Sequence, residues 1–146
     1  MASNTITDKD MGYAALAEGL RRLVAVPLEL DVGVLDSAGA DLVKIAAINE
    51  LGGGNVPARP FLGNTWKANG SKYSDAAAKI LSKPEDDVEK ALAKLGADMV
   101  RDVQRTIQSG VSPANSASTL RRKQGSTPLI NTGRLLKSIS YRVGKR

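Results

Sequence analysis

The stretch PEDDVEKALAKLGADMVRDVQRTIQSG at 84–110 decides the architecture. Val88, Leu92, Leu95, Met99, Val103 and Ile107 recur at steps of three and four, which lines one face of an α-helix. Pro84 suits a first turn, where its missing N–H removes no hydrogen bond. Glu85, Asp86 and Asp87 sit beside it, at the positive end of the helix dipole. Gly110 closes the run. The spacing predicts a long amphipathic helix over about 84–109.

Upstream, Leu28 to Leu35 alternates. Leu28, Leu30, Val32 and Val34 fall on one side, with Glu29, Asp31 and Gly33 on the other. Period two with β-branched residues predicts a strand with one buried face. Residues 9–26 place Met11, Ala14, Ala15, Leu16, Leu20, Leu23 and Val24 on one helical face, with Asp8 or Asp10 as cap and Pro27 as stop. Asp36 to Gly39 reads as a turn. The segment DLVKIAAINEL at 41–51 fits a short helix ended by Gly52 to Gly54, or a second strand beginning at Asp41 and running into a helix.

GGGNVPARP at 52–60 is loop, and Pro60 opens a helix through Phe61, Leu62, Thr65 and Trp66. Residues 70–83 are rich in Ala and Ser and read as a weakly specified surface stretch. Beyond Gly110, Ser116 can cap a short helix reaching Lys123, and 124–127 is loop. Asn131 or Thr132 can cap another turn through Leu135 and Leu136. Ser138 to Val143 alternates again, with Ile139, Tyr141 and Val143 on one face. The expected fold is α+β: helices on a small, mostly antiparallel sheet, in one domain over 1–146. That domain has an N-terminal segment at 1–10, a Gly/Pro loop at 52–60 and a basic region at 119–146.

Composition narrows the function. The chain has neither His nor Cys, which excludes disulfides, thiol nucleophiles, Cys/His zinc sites and a His-based triad. The N-terminus lacks an apolar signal core, and no run of about 18 apolar residues occurs. A soluble protein made in a cytoplasm, without a membrane partner, is expected. Only Phe61, Trp66 and three tyrosines are aromatic. The core must therefore rest on aliphatic residues, with neighbouring subunits completing burial and low resistance to denaturant in the isolated chain. The net charge is +6, and Asp102 is the last acidic residue, so the final third is strongly basic. An anionic partner follows, nucleic acid or an acidic protein surface.

Chemical motifs are weak. Gly52 to Gly54 precedes Asn55, Val56 and Pro57 rather than the Lys and Ser or Thr of a phosphate loop. Consecutive carboxylates at 85–87 point in different directions, whereas a magnesium site needs convergence. Glu50, beside Asn49, suits a hydrogen-bonded structural role or an intersubunit ion pair better than catalysis. Arg121, Arg122 and Lys123 are candidate phosphate contacts, and Arg134, at an expected helix start, could reach phosphate or a carboxylate. Without interleaved aromatics to stack bases, any DNA contact would be electrostatic and indifferent to sequence. No catalytic, cofactor or metal residue is expected.

Several blocks in order carry a resemblance. IAAINELG at 45–52, VPARPFLGNTW at 56–66 and TLRRKQGSTPLINTGRLLKSISYRV at 119–143, with LDVGVLD at 30–36 upstream, together resemble the neck and tail-completion proteins of tailed bacteriophages. Leu51 stands where that family commonly has Phe, Gly53 where it has Thr, and Asn131 where it often has Asp. The resemblance implies a non-enzymatic virion protein, made in the bacterial host, that forms a homo-oligomeric ring of six or twelve copies. Such a head–tail connector would join head to tail around the DNA channel. Its partners would be adjacent neck, portal-adaptor and tail proteins, with nonspecific contact to packaged DNA. Asn49, Glu50, Arg59, Pro60, Phe61 and Trp66 become candidate anchoring or inter-subunit residues, with Phe61 as the buried foot of an arm that the glycines free. The basic region would face DNA or acidic surfaces of neighbouring rings. Two alternatives stand beside this reading, a tail-terminator ring capping the tube and a sequence-nonspecific DNA-binding protein.

Overall fold

The computed structural model describes residues 17, 18, 21, 28–83, 87–122, 127–129 and 132–145. Strand β1 spans Leu28–Val34 and is followed by a single 3-10 turn at Asp36–Ala38. Helices α1, α2 and α3 span Ala40–Leu51, Phe61–Ser82 and Val88–Ser109. Two short helices follow, α4 at Ala117–Arg122 and α5 at Arg134–Ser138, and strand β2 closes the order at Ile139–Lys145. The fold is α+β, as the sequence patterns require.

The two strands pair antiparallel, Leu28 opposite Lys145 and Val34 opposite Ile139. This register sets Leu30 against Val143 and Val32 against Tyr141, so the apolar alternations of both strands coincide on one face. Asp31 lies opposite Arg142 on the other face, and their side chains form an ion pair at 2.9 Å. A two-stranded sheet is marginal by itself and needs a helix against it. Helix α3 supplies that support, packing on both strands and on α2. Gly96 makes the approach possible: a Cβ there would stand 2.7 Å from the Tyr141 ring and 2.8 Å from Leu30 Cδ1.

The core is the apolar face read from 88–107, met by α2 and by the C-terminal elements. Phe61, Val103, Ile107, Val111, Leu135 and Ile139 are buried together with Ala46. Phe61 and Ile107 are wholly enclosed, worth roughly 1.5–3 kcal/mol each. Polar groups tie α2 to α3. Thr65 and Thr106 share a hydroxyl hydrogen bond of 2.7 Å. Asp102 is buried and accepts from Lys72 Nζ at 2.7 Å, from the Tyr73 hydroxyl at 2.9 Å and from Arg105 at 3.1 Å.

Several expectations change. The 41–51 segment is helix throughout, and no strand begins at Asp41. Residues 70–82 form the second half of α2, a regular helix that lies at the surface as expected, with Tyr73 alone buried. Their alanines are the strongest helix formers, and the Tyr73 hydroxyl donates to Asp102 of α3. Helix α3 begins at Val88, with Asp87 outside it as the cap: its carboxylate accepts from Lys90 N at 3.2 Å. Pro84, Glu85 and Asp86 lie outside the described residues, as does most of the expected helix over 9–26, where Ala17, Glu18 and Arg21 are helical. Ser116 caps α4 as expected, its hydroxyl accepting from Thr119 N at 3.3 Å. Helix α5 is preceded by Gly133 in the left-handed region, without a side-chain cap. Thr132 therefore does not fill that role, and Asn131 is outside the described residues.

Candidate functional site

The Gly/Pro loop is a fixed structure rather than a free arm. Gly52 ends α1 at φ +78°, its N–H donating to the Ile48 carbonyl. Gly53 and Val56 then exchange backbone hydrogen bonds of 3.0 Å, with Gly54 at φ +57° in the turn between them. Arg59 N donates to the Asn49 carbonyl at 2.6 Å, which lays the loop back along α1. The Arg59 side chain is buried, 7% exposed. Its guanidinium donates to the carbonyls of Pro113 at 2.7 Å and Ala114 at 3.1 Å. It thereby pins the segment that leaves α3.

Six pieces of chain, α1, the 55–59 loop, the 113–116 segment, α4, Leu129 and the 132–135 stretch that opens α5, enclose a half-open groove of about 820 Å³. Three arginines line it: Arg59 from the loop, Arg122 from α4 and Arg134 from α5. Arg122 donates to the Ser118 carbonyl at 3.3 Å, and both Arg122 and Arg134 are exposed. No carboxylate of the described residues belongs to the lining. Uncharged carbonyls satisfy the Arg59 hydrogen bonds without cancelling its charge, so all three cations project a positive potential into a concave, partly desolvated space. Apolar side chains share the walls. Ile45 is 44% exposed and Val56 38% exposed there.

The expected site residues divide. Asn49, Arg59, Arg122 and Arg134 come together in this groove. Glu50 points the other way, accepting the backbone N–H groups of Leu62 at 2.9 Å and Gly63 at 2.8 Å. It is a cap supplied to α2 by a different helix. Pro60 precedes the first turn of α2, and Phe61 is buried in the core. Trp66 is 56% exposed, its ring 5.9 Å from that of Tyr73 and lying over Gly70. Arg121 is exposed outside the groove, and Lys123 is not among the described residues.

The Asp102 cluster escaped sequence reading. Burial acts to raise its carboxyl pKa, but hydrogen bonds from Lys72 and Tyr73 and the charges of Lys72 and Arg105 outweigh burial and hold it below the ordinary value. Among the described residues no group of three acidic side chains could hold a metal ion, and no helix is long and apolar enough to cross a membrane. Comparison with known protein families, with curated proteins and with solved structures returns no match.

Proposed function

We propose that this chain is a structural virion protein of a tailed bacteriophage, forming a homo-oligomeric ring in the neck between head and tail. The observation that carries this reading is the state of α1. Eight of its twelve residues are Ala, Leu, Val or Ile, yet Ala46 alone is buried. Val43 and Leu51, which lie outside the three-arginine groove, are exposed to 36 and 78%. A helix apolar on all sides is ordinarily enclosed, so this one asks for a neighbouring subunit. The same helix carries IAAINELG, the first of the blocks that resemble phage neck proteins, and Glu50 and Asn49 tie it to the second block.

Size-exclusion chromatography with mass measurement on the purified chain tests the ring. A closed assembly of six or twelve copies is expected, alone or on addition of the adjoining neck proteins. A chain that stays monomeric in both conditions contradicts it. Imaging particles from a phage lacking the gene separates neck from tail terminator. Filled heads beside finished tails mark a joining defect, and overlong tails mark a termination defect.

A further inference from the structure

We infer that the three-arginine groove is a docking site for an acidic, apolar peptide segment of a partner protein. The inference goes beyond the ring reading and does not depend on it, because it rests on the groove alone. Arg59, Arg122 and Arg134 face one space from three separate elements, and no described carboxylate answers them there. Arg59 is held in place by the carbonyls of Pro113 and Ala114, so one cation is preorganised before any ligand arrives. The exposed Arg122 and Arg134 offer N–H donors to carboxylates, while Arg59, whose Nε and Nη2 are already taken, adds its charge.

The shape selects among anions. Duplex DNA is convex and meets basic surfaces through its phosphates, whereas this groove is concave and about 820 Å³ in volume. Ile45, Val56, Leu42 and Leu129 stand beside the arginines, and a phosphate backbone gives such side chains nothing to contact. A peptide with acidic residues alternating with Leu or Ile satisfies both sets of groups at once. A second, shallower depression continues from the first across Leu42 and Arg134 and adds Lys137, again without a described carboxylate. An extended peptide running from one to the other meets cations along its whole path.

Fluorescence anisotropy on the full chain, with a labelled peptide of alternating Glu and Leu, tests the site. Saturable binding at low ionic strength is expected. The double variant Arg122→Glu/Arg134→Glu should weaken it by about tenfold or more, and Ile45→Ser should weaken it severalfold. Lys67→Glu/Lys94→Glu, which makes the same charge change on exposed residues outside the groove, should leave it within about twofold. A peptide of alternating Lys and Leu should not bind. If circular dichroism shows the Glu variant misfolded, Arg122→Gln/Arg134→Gln replaces it. Absence of saturable binding overturns the inference, as does equal loss in the Lys67/Lys94 variant. A labelled duplex that binds more tightly than the peptide, through the same arginines and without regard to Ile45, overturns it in favour of nucleic acid.

Discussion

The Glu50 carboxylate, at the end of α1, accepts the Gly63 N–H at 2.8 Å, thirteen residues further along the chain. Its second oxygen takes the Leu62 N–H at 2.9 Å. Two of the orphan donors of α2 are thus satisfied by a side chain from another helix, because Pro60 at the N-cap position offers none. Glu50→Ala leaves both donors without that acceptor and should cost about 1–2 kcal/mol. Glu50→Gln retains one acceptor oxygen and should lose roughly half as much. Urea unfolding of the two variants reads the difference; equal losses would mean that packing, not the paired acceptance, matters at this position.

Asp102 and Tyr73 make stability depend on pH at both ends of the scale. The Asp102 carboxyl lies below its ordinary 3.8 in the fold. Its stabilising contribution is therefore complete above that value and disappears as pH falls through the folded pKa. The Tyr73 phenol is shifted the other way, by burial first and then by its hydrogen bond to the Asp102 charge. The unfolded phenol ionises near 10.0 while the folded one keeps its proton, so stability falls as pH rises beyond that point. Asp102→Asn should cost roughly 2–3 kcal/mol at neutral pH and flatten the acid limb. Tyr73→Phe should remove the alkaline limb. Unfolding midpoints across the pH range check both.

Gly96 is where α3 touches the sheet. Gly96→Ala must push aside the Tyr141 ring, whose near carbons would lie 2.7 Å from the new methyl group. A loss of about 1–3 kcal/mol is expected. Combining it with Tyr141→Ser should recover part of that loss, since the obstructing ring is gone. Strict additivity of the two changes would show that the close approach is not the cause.

Leu51 gives a separable test of assembly. At 78% exposure it contributes little to the isolated fold. Leu51→Lys should leave unfolding of the monomer within about 0.5 kcal/mol while lowering the mass of the ring proposed above. An unchanged mass would place the subunit contact elsewhere than α1.

The legibility of this chain follows the range of the signal. Helix α3 is written in a single period that local spacing reveals, and β1 and β2 in an alternation that the observed register then brings onto one face. The second half of α2 is hard to read because its Ala and Ser residues set out no clear apolar period, and Gly70 stands at its start. In the structure the Trp66 ring lies over that glycine, 3.4 Å from where a Cβ would stand, and the helix continues beneath it. The groove was less legible still. Arg59, Arg122 and Arg134 form no motif in sequence; the hydrogen bonds that draw the 52–60 loop onto α1 and the 113–116 segment place Arg59, and the burial of Leu135 in the core places Arg134. Glu50 looked solitary for the same reason: its partners are backbone donors, which no residue pattern records.

The pairing of β1 with β2 has a kinetic consequence. Asp31 and Arg142 stand 111 residues apart in sequence, so forming the sheet closes a loop whose length-dependent entropy cost is about 4 kcal/mol. Helices α2 and α3 adjoin in sequence and meet no such barrier. Order of assembly should follow: the helical pair condenses first around Phe61 and Ile107, and the strands zip onto it late. Conservative substitutions at Val32 should then speed unfolding and leave the refolding rate nearly untouched, whereas substitutions at Ile107 should slow refolding. The sheet is in this sense a clasp, fastened only after the body it encloses has formed.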